Sequence, residues 1–211
     1  MAAVGNRHLR HPPVLAGVPF DRARVIGVLV HGRDQGPEVM LDVADRLALD
    51  GAGYVLPVAD GRSWYPGRYF DPPADNEPYV GWSLTAFERA IAIARDAASL
   101  ERIVLAGFSQ GACLVAELVA RNPRPFAGVA VLTGTLLGPD GEEPEPAPAD
   151  RLPMLFAGSR YDEWVPLERV QSSAKAFERA GASVTTEVYD DREHHVSDRA
   201  VVALRRLFER A

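Results

Sequence analysis

A single serine lies between two glycines in the stretch GFSQG, residues 107–111. The run before it, IVLA, is apolar and suits a buried strand, whereas the run after it, ACLVAELVA, has the pattern of a helix. A G-x-S-x-G motif at a strand-to-helix joint is typical of a nucleophile elbow, whose tight turn pushes the serine hydroxyl out of the sheet. Larger side chains at Gly107 and Gly111 would clash with neighbouring backbone. The motif therefore predicts that Ser109 is presented as a nucleophile.

The partners that a nucleophilic serine requires follow downstream, in the order acid and then histidine. Asp162 comes just after the apolar run MLFAGS, and His194 and His195 come after the run VTTEVYD. Only five histidines occur in the chain, so two of the five fall where a base is needed. In such a triad the histidine takes the proton of the serine hydroxyl while the aspartate orients the histidine. We therefore predict that Ser109, Asp162 and one of the two histidines act together.

A serine nucleophile also needs two backbone N–H groups to stabilise the oxyanion, one after the nucleophile and one in the loop after an early strand. The stretch LVHGRDQG, residues 29–36, supplies such a loop, and Gly32 allows it to turn. We assign the two donors to the backbone of Arg33 and Gln110. His31 lies at the end of the same predicted strand, and we expect it to hold the loop by hydrogen bonding.

The connection formed by residues 60–82 is long and rich in aromatic residues. It contains six of the chain's 17 aromatic residues (3 Trp, 6 Tyr and 8 Phe): Trp64, Tyr65, Tyr69, Phe70, Tyr79 and Trp82. These side chains either line a substrate cleft, as aromatic residues often do in small-molecule sites, or hold the long loop in place. As substrate-binding residues we select Trp64 and, two residues after Asp162, Trp164. The charged residues of this loop argue against a long apolar tunnel, so we expect a short acyl group.

The composition limits the class of protein. With 211 residues, 47% hydrophobic and 25% charged, the chain suits one globular domain. Its net charge of −6 disfavours broad attraction to nucleic acid or anionic lipid, and no apolar run approaches the roughly 20 residues that span a bilayer. The N-terminus lacks the apolar core of a signal peptide and the single cysteine, Cys113, allows no internal disulfide, so we expect a cytoplasmic protein. We expect residues 14–211 to form the folded core and residues 1–13 to be flexible.

Apolar runs and helical patterns alternate along the chain, which predicts a mostly parallel sheet with helices on both faces. The early run VLAGVPF is predicted to pair antiparallel with VIGVLVH across a turn at residues 21–24. Ser83 and Ser197 are predicted to cap the helices that follow them, the first of which extends to Ser99. The acidic, proline-rich segment 139–150 is predicted to be solvated loop.

Several motifs together resemble the bacterial phospholipase/carboxylesterase family, which comprises small α/β-hydrolases related to the acyl-protein thioesterases. The motifs are VLVHGRDQG, SWYPGRYF, NEPYVGW, GFSQGACL, SRYDEWVPLERV and HHVSD, and the resemblance covers nearly the whole chain from about Val14. It implies a single α/β-hydrolase domain without a large cap, esterase activity towards a small-molecule ester, and no metal or organic cofactor. It also implies that Ser109, Asp162 and His194 are nucleophile, acid and base.

The family pattern bears on the choice between the two histidines, which the residue types alone leave open. In that pattern the catalytic histidine is followed by a variable residue, an apolar residue and a helix-capping residue, an order that fits His194. Val196 can also pack beneath the last helix beside the cap at Ser197, which would anchor the loop just after the base. Two positions depart from the pattern: Asp34 replaces a glycine of the oxyanion loop, and Glu193 replaces the glycine before the catalytic histidine.

Other functions stay open on the sequence alone. The same triad would serve an acyl-thioesterase or a lysophospholipase, whereas a hydrolase of the dienelactone type would use a cysteine nucleophile. Cys113 lies four residues beyond Ser109, where a small buried residue is expected, so it fits the role of a nucleophile poorly. A non-catalytic binding protein could keep the same fold. Whether the chain forms a homodimer is also left open.

Overall fold

Seven strands form one sheet within residues 5–211, the part of the chain that the computed structural model describes. The strands are β1 (Val14–Gly17), β2 (Val25–Val30), β3 (Ala52–Leu56), β4 (Ile103–Phe108), β5 (Gly128–Leu132), β6 (Pro153–Ser159) and β7 (Ser183–Tyr189). Their order in the sheet is β1-β3-β2-β4-β5-β6-β7. The pair β1–β3 is antiparallel and the other pairs are parallel, which confirms the predicted α/β class.

The α-helices of the described residues cover both faces of this sheet. They are α1 (Pro37–Leu47), α2 (Tyr79–Arg95), α3 (Gln110–Arg121), α4 (Leu167–Arg179) and α5 (Asp198–Phe208). On one face α1 and α5 bury Leu47 and Leu204 against the sheet, and on the other α2, α3 and α4 bury Phe87, Leu114 and Phe177. Strands β2, β4 and β5 are buried along their whole length because both of their faces are covered. The two apolar layers and the sheet between them form a single α/β domain.

The predicted pairing of the first two strands is wrong. β1 pairs with β3, with Val14 opposite Leu56 and Gly17 opposite Gly53. Both edges of β2 are already occupied, by β3 on one side and β4 on the other, so no edge of β2 is free for β1. β1 therefore adds to the outer edge of β3 and becomes the antiparallel end of the sheet.

The two predicted serine caps differ in outcome. Ser197 caps α5, because its hydroxyl oxygen accepts the backbone N–H of Ala200 at 3.1 Å. Ser83 caps nothing, since α2 begins one turn earlier at Tyr79 and ends at Arg95 rather than at residue 99. The fully buried Ser83 hydroxyl instead lies 2.8 Å from the carbonyl oxygen of Tyr79, one helical turn before it. An inward-facing serine inside a helix thus resembles a cap when it is read from sequence.

The segment before β1 is packed onto the domain over its described part, which differs from the expected flexibility of residues 1–13. Residues 1–4 lie outside the described residues. His8 is buried, its Nε2 lies 3.0 Å from the carbonyl oxygen of Trp64, and its Nδ1 accepts the backbone N–H of Asp60. These contacts tie the start of the chain to the long aromatic loop.

The acidic segment 139–150 contains neither helix nor strand, yet part of it is buried. The side chain of Glu143 is only 14% exposed and forms an ion pair with the buried guanidinium of Arg169. Arg169 also donates to the carbonyl oxygen of Gly138 at 2.8 Å. The segment is therefore loop, as predicted, but it is anchored by the buried Arg169 side chain rather than solvated throughout.

Among residues 5–211, none of the helices combines the length and the apolar content needed to cross a membrane.

Candidate active site

The glycine-flanked serine forms the whole connection between β4 and α3. Ser109 has φ 53° and ψ −120°, a backbone conformation that residues other than glycine seldom adopt. Its N–H donates to the Leu132 carbonyl oxygen at 3.0 Å. A Cβ atom on Gly107 would lie 2.5 Å from the carbonyl oxygen of Gly111, and one on Gly111 would lie 2.4 Å from that of His31. Both flanking positions are glycine because backbone passes within contact distance of each.

Three side chains from separate loops meet at the carboxyl ends of β4, β6 and β7. Ser109 Oγ lies 2.7 Å from His194 Nε2, and His194 Nδ1 lies 2.8 Å from Asp162 Oδ2. The arrangement fits a neutral imidazole whose Nδ1–H donates to the carboxylate and whose Nε2 accepts the serine hydroxyl proton. The structure thus brings together the three residues that sequence analysis selected as a triad.

The carboxylate of Asp162 has no exposed surface and accepts hydrogen bonds from three groups. Its Oδ1 accepts the backbone N–H groups of Trp164 and Val165 at 2.7 and 2.9 Å, which leaves Oδ2 for His194. Burial acts to raise the pKa of Asp162, but the hydrogen bonds from His194, Val165 and Trp164 outweigh it and hold the pKa below its usual value. The carboxylate therefore stays ionised and favours the tautomer of His194 that carries its proton on Nδ1.

The second histidine of the pair points into its own loop. His195 Nδ1 lies 3.1 Å from Glu193 Oε2 and its Nε2 lies 3.5 Å from Asp191 Oδ2. Val196, the next residue, is buried with the residues of α1 and α5, as the sequence analysis expected of an anchor. On the other side of the pair, the Glu193 carbonyl oxygen accepts the Ser159 hydroxyl at 2.6 Å. The loop is thus fixed on both sides of His194.

The loop after β2 lies beside the serine and is held from inside by His31. His31 Nδ1 lies 2.8 Å from the Gly32 carbonyl oxygen, and its Nε2 accepts the backbone N–H of Ala59 at 3.2 Å. Burial lowers the pKa of His31, so the ring stays neutral, as these two contacts require. Arg33 and Gln110, whose backbones we assigned to the oxyanion hole, both line the same cleft as Ser109.

The aspartate that departs from the family pattern adopts a backbone conformation that favours glycine. Asp34 has φ 57°, in the left-handed region. Aspartate tolerates this region better than most residues because its short polar side chain can hydrogen-bond locally. The Asp34 carbonyl oxygen accepts Arg62 Nε at 3.1 Å, which holds this turn from outside. Asp34 therefore holds a left-handed position at which glycine would be unstrained.

A cleft of about 680 Å³ opens at Ser109 and His194, a volume within the usual range of small-molecule sites. Its apolar lining consists of Tyr65, Tyr69, Phe70, Cys113, Trp164 and Val165. Four charged residues, Arg33, Asp34, Arg68 and Glu163, lie around the same cleft. Trp164 lies where sequence analysis expected it, 75% exposed and with its ring centroid 6.4 Å from that of His194.

The selection of Trp64 as a substrate-binding residue is wrong. Its side chain is fully buried, its Nε1–H donates to the His31 carbonyl oxygen at 2.8 Å, and its ring packs edge-on against Phe87. Trp64 therefore holds the aromatic loop in place, whereas Tyr65, Tyr69 and Phe70 line the cleft. Both alternatives for this loop are true of different residues, and no periodicity in an irregular loop could have separated them.

The cysteine forms part of the cleft floor and fits no catalytic role. Cys113 is buried, and burial raises the pKa of its thiol to about 11, so the thiol is neutral at physiological pH. This disfavours the alternative of a cysteine nucleophile. Within the part of the chain that the structure describes, no three His, Cys, Asp or Glu side chains gather in a way that would hold a metal ion.

The sheet order, the helices on both faces and the serine at the turn after the central strand β4 define an α/β-hydrolase. The chain also matches the phospholipase/carboxylesterase family over residues 22–209. The chain belongs to this family. Membership supports hydrolase activity of the esterase kind.

Solved structures agree with this assignment. The chain is similar to a phospholipase/carboxylesterase from Dyadobacter fermentans, with 30% identity over 94% of this chain and 96% of that chain and a TM-score of 0.84. It shares its fold with SOBER1 of Arabidopsis thaliana, at 20% identity, 89% and 99% coverage and a TM-score of 0.72. The same holds for a carboxylesterase from Mesorhizobium loti, at 19% identity, 94% and 99% coverage and a TM-score of 0.71. No curated protein sequence matches the chain.

Proposed function

We propose that the chain is a serine esterase that cleaves carboxylic esters with short acyl groups through an acyl-enzyme on Ser109. The observation that carries the proposal is the continuous hydrogen-bonded series from the Ser109 hydroxyl through His194 to the buried carboxylate of Asp162, next to the cleft. A serine hydroxyl alone is a weak nucleophile, and this series supplies the base that activates it. Ser109, Asp162 and His194 act as nucleophile, acid and base.

In the first half of the reaction the ester carbonyl carbon lies against Ser109 Oγ. His194 Nε2 takes the hydroxyl proton as Oγ attacks, so that a new C–O bond forms and the carbonyl oxygen becomes an oxyanion. The backbone N–H groups of Arg33 and Gln110 donate to this oxygen, and the N-terminus of α3, which begins at Gln110, favours its negative charge. Protonated His194 then gives the proton to the leaving alcohol oxygen as its C–O bond breaks.

In the second half water replaces the alcohol. His194 Nε2 takes a proton from the water as its oxygen attacks the acyl carbon, and the oxyanion forms again at the same two N–H groups. The bond to Ser109 Oγ breaks, the serine recovers its proton from His194, and the carboxylic acid leaves. Asp162 stays ionised throughout and stabilises the imidazolium that forms in each half.

The shape and charge of the cleft support a short acyl group. Tyr65 and Cys113 close its floor, since both side chains are almost completely buried. A longer chain would have to leave across the charged rim, where Arg68 and Glu163 would lose water without gaining a partner. Several charged residues of the 60–82 loop are engaged away from the cleft, as in the pair formed by Asp60 and His11, and do not bear on the acyl group. The support therefore comes from the rim of the cleft.

A serine-directed fluorophosphonate and a panel of p-nitrophenyl esters test this proposal. We expect the wild type to be labelled once per chain, to hydrolyse acetate and butyrate esters, and to lose both properties in Ser109→Ala. Hydrolysis should fall by about 10³-fold or more, because the oxyanion hole and binding alone leave only residual catalysis. Ser172→Ala, on the exposed side of α4, should label like the wild type.

Absence of labelling in a folded wild-type protein would identify a non-catalytic binding protein and refute the proposal. The panel also includes an acyl-thioester. If it is cleaved faster than any oxygen ester, the proposed triad stands but the substrate class is a thioester.

A further inference from the structure

The two residues assigned to the oxyanion hole are both bonded, through their side chains, to one short stretch of the aromatic loop. This stretch is residues 63–67, here called the bridging segment. Gln110 Nε2 donates to the Tyr65 carbonyl oxygen at 2.8 Å, and Gln110 Oε1 accepts the backbone N–H of Trp64 at 2.8 Å. From the opposite side, Arg33 Nη1 donates to the Pro66 carbonyl oxygen at 2.9 Å and its Nη2 donates to that of Gly67. Three consecutive carbonyl groups thus receive side chains from the two residues.

The Gln110 carboxamide can fix the position of its own backbone relative to the bridging segment. Gln110 is 5% exposed, and its Oε1 also lies 3.4 Å from the Ser63 hydroxyl, so both ends of the amide are engaged. Buried hydrogen bonds that are fully satisfied make their surroundings rigid. Because Gln110 lines the cleft beside Ser109 and its backbone N–H is the proposed donor, a shift of the side chain would shift the donor.

The bridging segment is itself fixed from behind. Trp64 Nε1 donates to the His31 carbonyl oxygen, two residues before Arg33, and the Trp64 carbonyl oxygen accepts the Ser83 hydroxyl at 2.9 Å. At the other end of the segment the backbone N–H of Gly67 donates to Asn76 Oδ1 at 2.8 Å. The segment therefore has a fixed location in the domain before any substrate binds.

We propose that the bridging segment sets the separation of the two oxyanion donors, and that the side chains of Arg33 and Gln110 are positioning residues for their own backbone N–H groups. The inference rests on the proposed serine mechanism. An oxyanion hole accelerates a reaction only when its donors are in place beforehand, because reorganisation at the moment of reaction would consume the stabilisation. A rigid tie between the two donors meets this requirement.

The variants Gln110→Ala and Arg33→Ala keep both backbone N–H groups. Each removes only the side-chain hydrogen bonds to the bridging segment. We expect kcat of Gln110→Ala to fall about 10-fold to 100-fold, less than the loss of a donor itself, with KM changed less than about 3-fold. Arg33 is exposed, so its variant should lose about 3-fold to 10-fold. The inhibition constant of a trifluoromethyl ketone, whose adduct carries the oxyanion, should weaken in parallel with kcat/KM. Arg33→Lys, with a single donor group, should lie between Arg33→Ala and the wild type.

The double variant tests whether the two side chains act through one segment. Its loss should be clearly smaller than the product of the two single losses, because the separation of the two donors is already relaxed once either side-chain link to the segment is lost. Ser173→Ala serves as the matched control: Ser173 is buried, is bonded to the backbone N–H of Leu136, and is not one of the residues that line the cleft. This control should lower the melting temperature while kcat stays within about 2-fold of the wild type.

Two results would overturn the inference: a fall in melting temperature without a fall in kcat, or a double variant whose loss equals the product. Should Gln110→Ala fail to fold, the exposed Arg33→Ala carries the test alone. Fluorophosphonate labelling of the wild type separates failure of this inference from failure of the proposed serine mechanism. A wild type that is labelled and active retains the serine mechanism whatever the two variants show.

Discussion

Asp162 Oδ2 and His194 Nδ1 lie 2.8 Å apart although 32 residues separate them along the chain. The adjacent strands β6 and β7 are parallel and in register up to Ser159 opposite Tyr189, so the loops that carry the two side chains leave the sheet together. The two loops stay joined beyond the strands, because the backbone N–H of Tyr161 donates to the Asp191 carbonyl oxygen at 3.1 Å. The side chains that we propose as acid and base are therefore positioned by strand pairing.

Asp162→Asn should abolish most activity and leave the fold intact. The asparagine oxygen can still accept the N–H groups of Trp164 and Val165, which places its NH2 group towards His194 Nδ1. That donor would force the imidazole proton onto Nε2, where it blocks acceptance of the serine proton. We expect kcat/KM for a p-nitrophenyl ester to fall about 10³-fold to 10⁴-fold, with a circular dichroism spectrum like that of the wild type. A loss of less than 10-fold would remove Asp162 from the triad.

The same carboxylate should contribute to the acid side of the stability curve. Its pKa is lowered in the folded protein, so its stabilising contribution is present above the unfolded value of about 3.9 and is lost as the pH falls through the folded value. Between pH 5 and pH 2.5, the free energy of unfolding should therefore decrease more steeply for the wild type than for Asp162→Asn. Urea titrations of both proteins at each pH measure this, and equal slopes would contradict the prediction.

The two adjacent histidines should differ sharply when each is replaced. His194→Ala removes the group that lies between Ser109 and Asp162, so kcat/KM should fall nearly as far as in Ser109→Ala. His195→Ala removes only contacts to acidic residues of its own loop and should stay within about 3-fold of the wild type. Steady-state kinetics of both variants check this. An inactive His195→Ala beside an active His194→Ala would reverse the assignment.

Trp164 should contribute to substrate binding and little to stability. Because its side chain is 75% exposed, Trp164→Ala should change the free energy of unfolding by less than about 0.5 kcal/mol. KM for a butyrate ester should rise about 3-fold to 10-fold through the lost apolar contact, with a smaller change for acetate. Tyr161→Ala is the matched control, since Tyr161 is also an exposed aromatic but packs against Arg192. Equal effects of the two variants, or rates that climb steadily from acetate to palmitate, would contradict this account of the cleft.

Asp34 should be replaceable by glycine but not by alanine. Asp34→Ala places a residue without a local hydrogen-bonding group in the left-handed region and should lower the free energy of unfolding by about 1 kcal/mol. Asp34→Gly should stay within about 0.5 kcal/mol of the wild type and keep its activity. Ala48, at φ 46° after α1, provides a reference far from the cleft, and Ala48→Gly should stabilise the protein. Denaturant titrations measure all three, and an inactive, fully folded Asp34→Gly would show that the carboxylate itself has a role.

The sequence by itself determined the order of the elements and the residues that follow the carboxyl ends of the strands. The apolar runs before Ser109 and Asp162 are strands β4 and β6, because a strand covered by helices on both faces must be apolar along most of its length. The run before His194 is β7, an edge strand that is mostly exposed or half-buried, and its β-branched residues are what made it recognisable. The need for Gly107 is equally local, since a Cβ there would meet the backbone of Gly111 in the same tight turn, whereas Gly111 is crowded by the backbone of Val30 and His31, which are distant in the chain. The local features depend on neighbours along the chain and can be read from it.

Only the tertiary structure decided which side chains face the cleft and which strands pair. Trp64 and Tyr65 are adjacent aromatic residues, yet the first packs against Phe87 and the second lines the cleft. The partner of β1 likewise depended on which strand kept a free edge, and the link between Arg33 and Gln110 runs through a segment far from both in sequence. In an irregular loop no helical or strand period assigns directions to side chains. Their directions follow from contacts with residues distant in the chain, and those contacts exist only once the domain has folded.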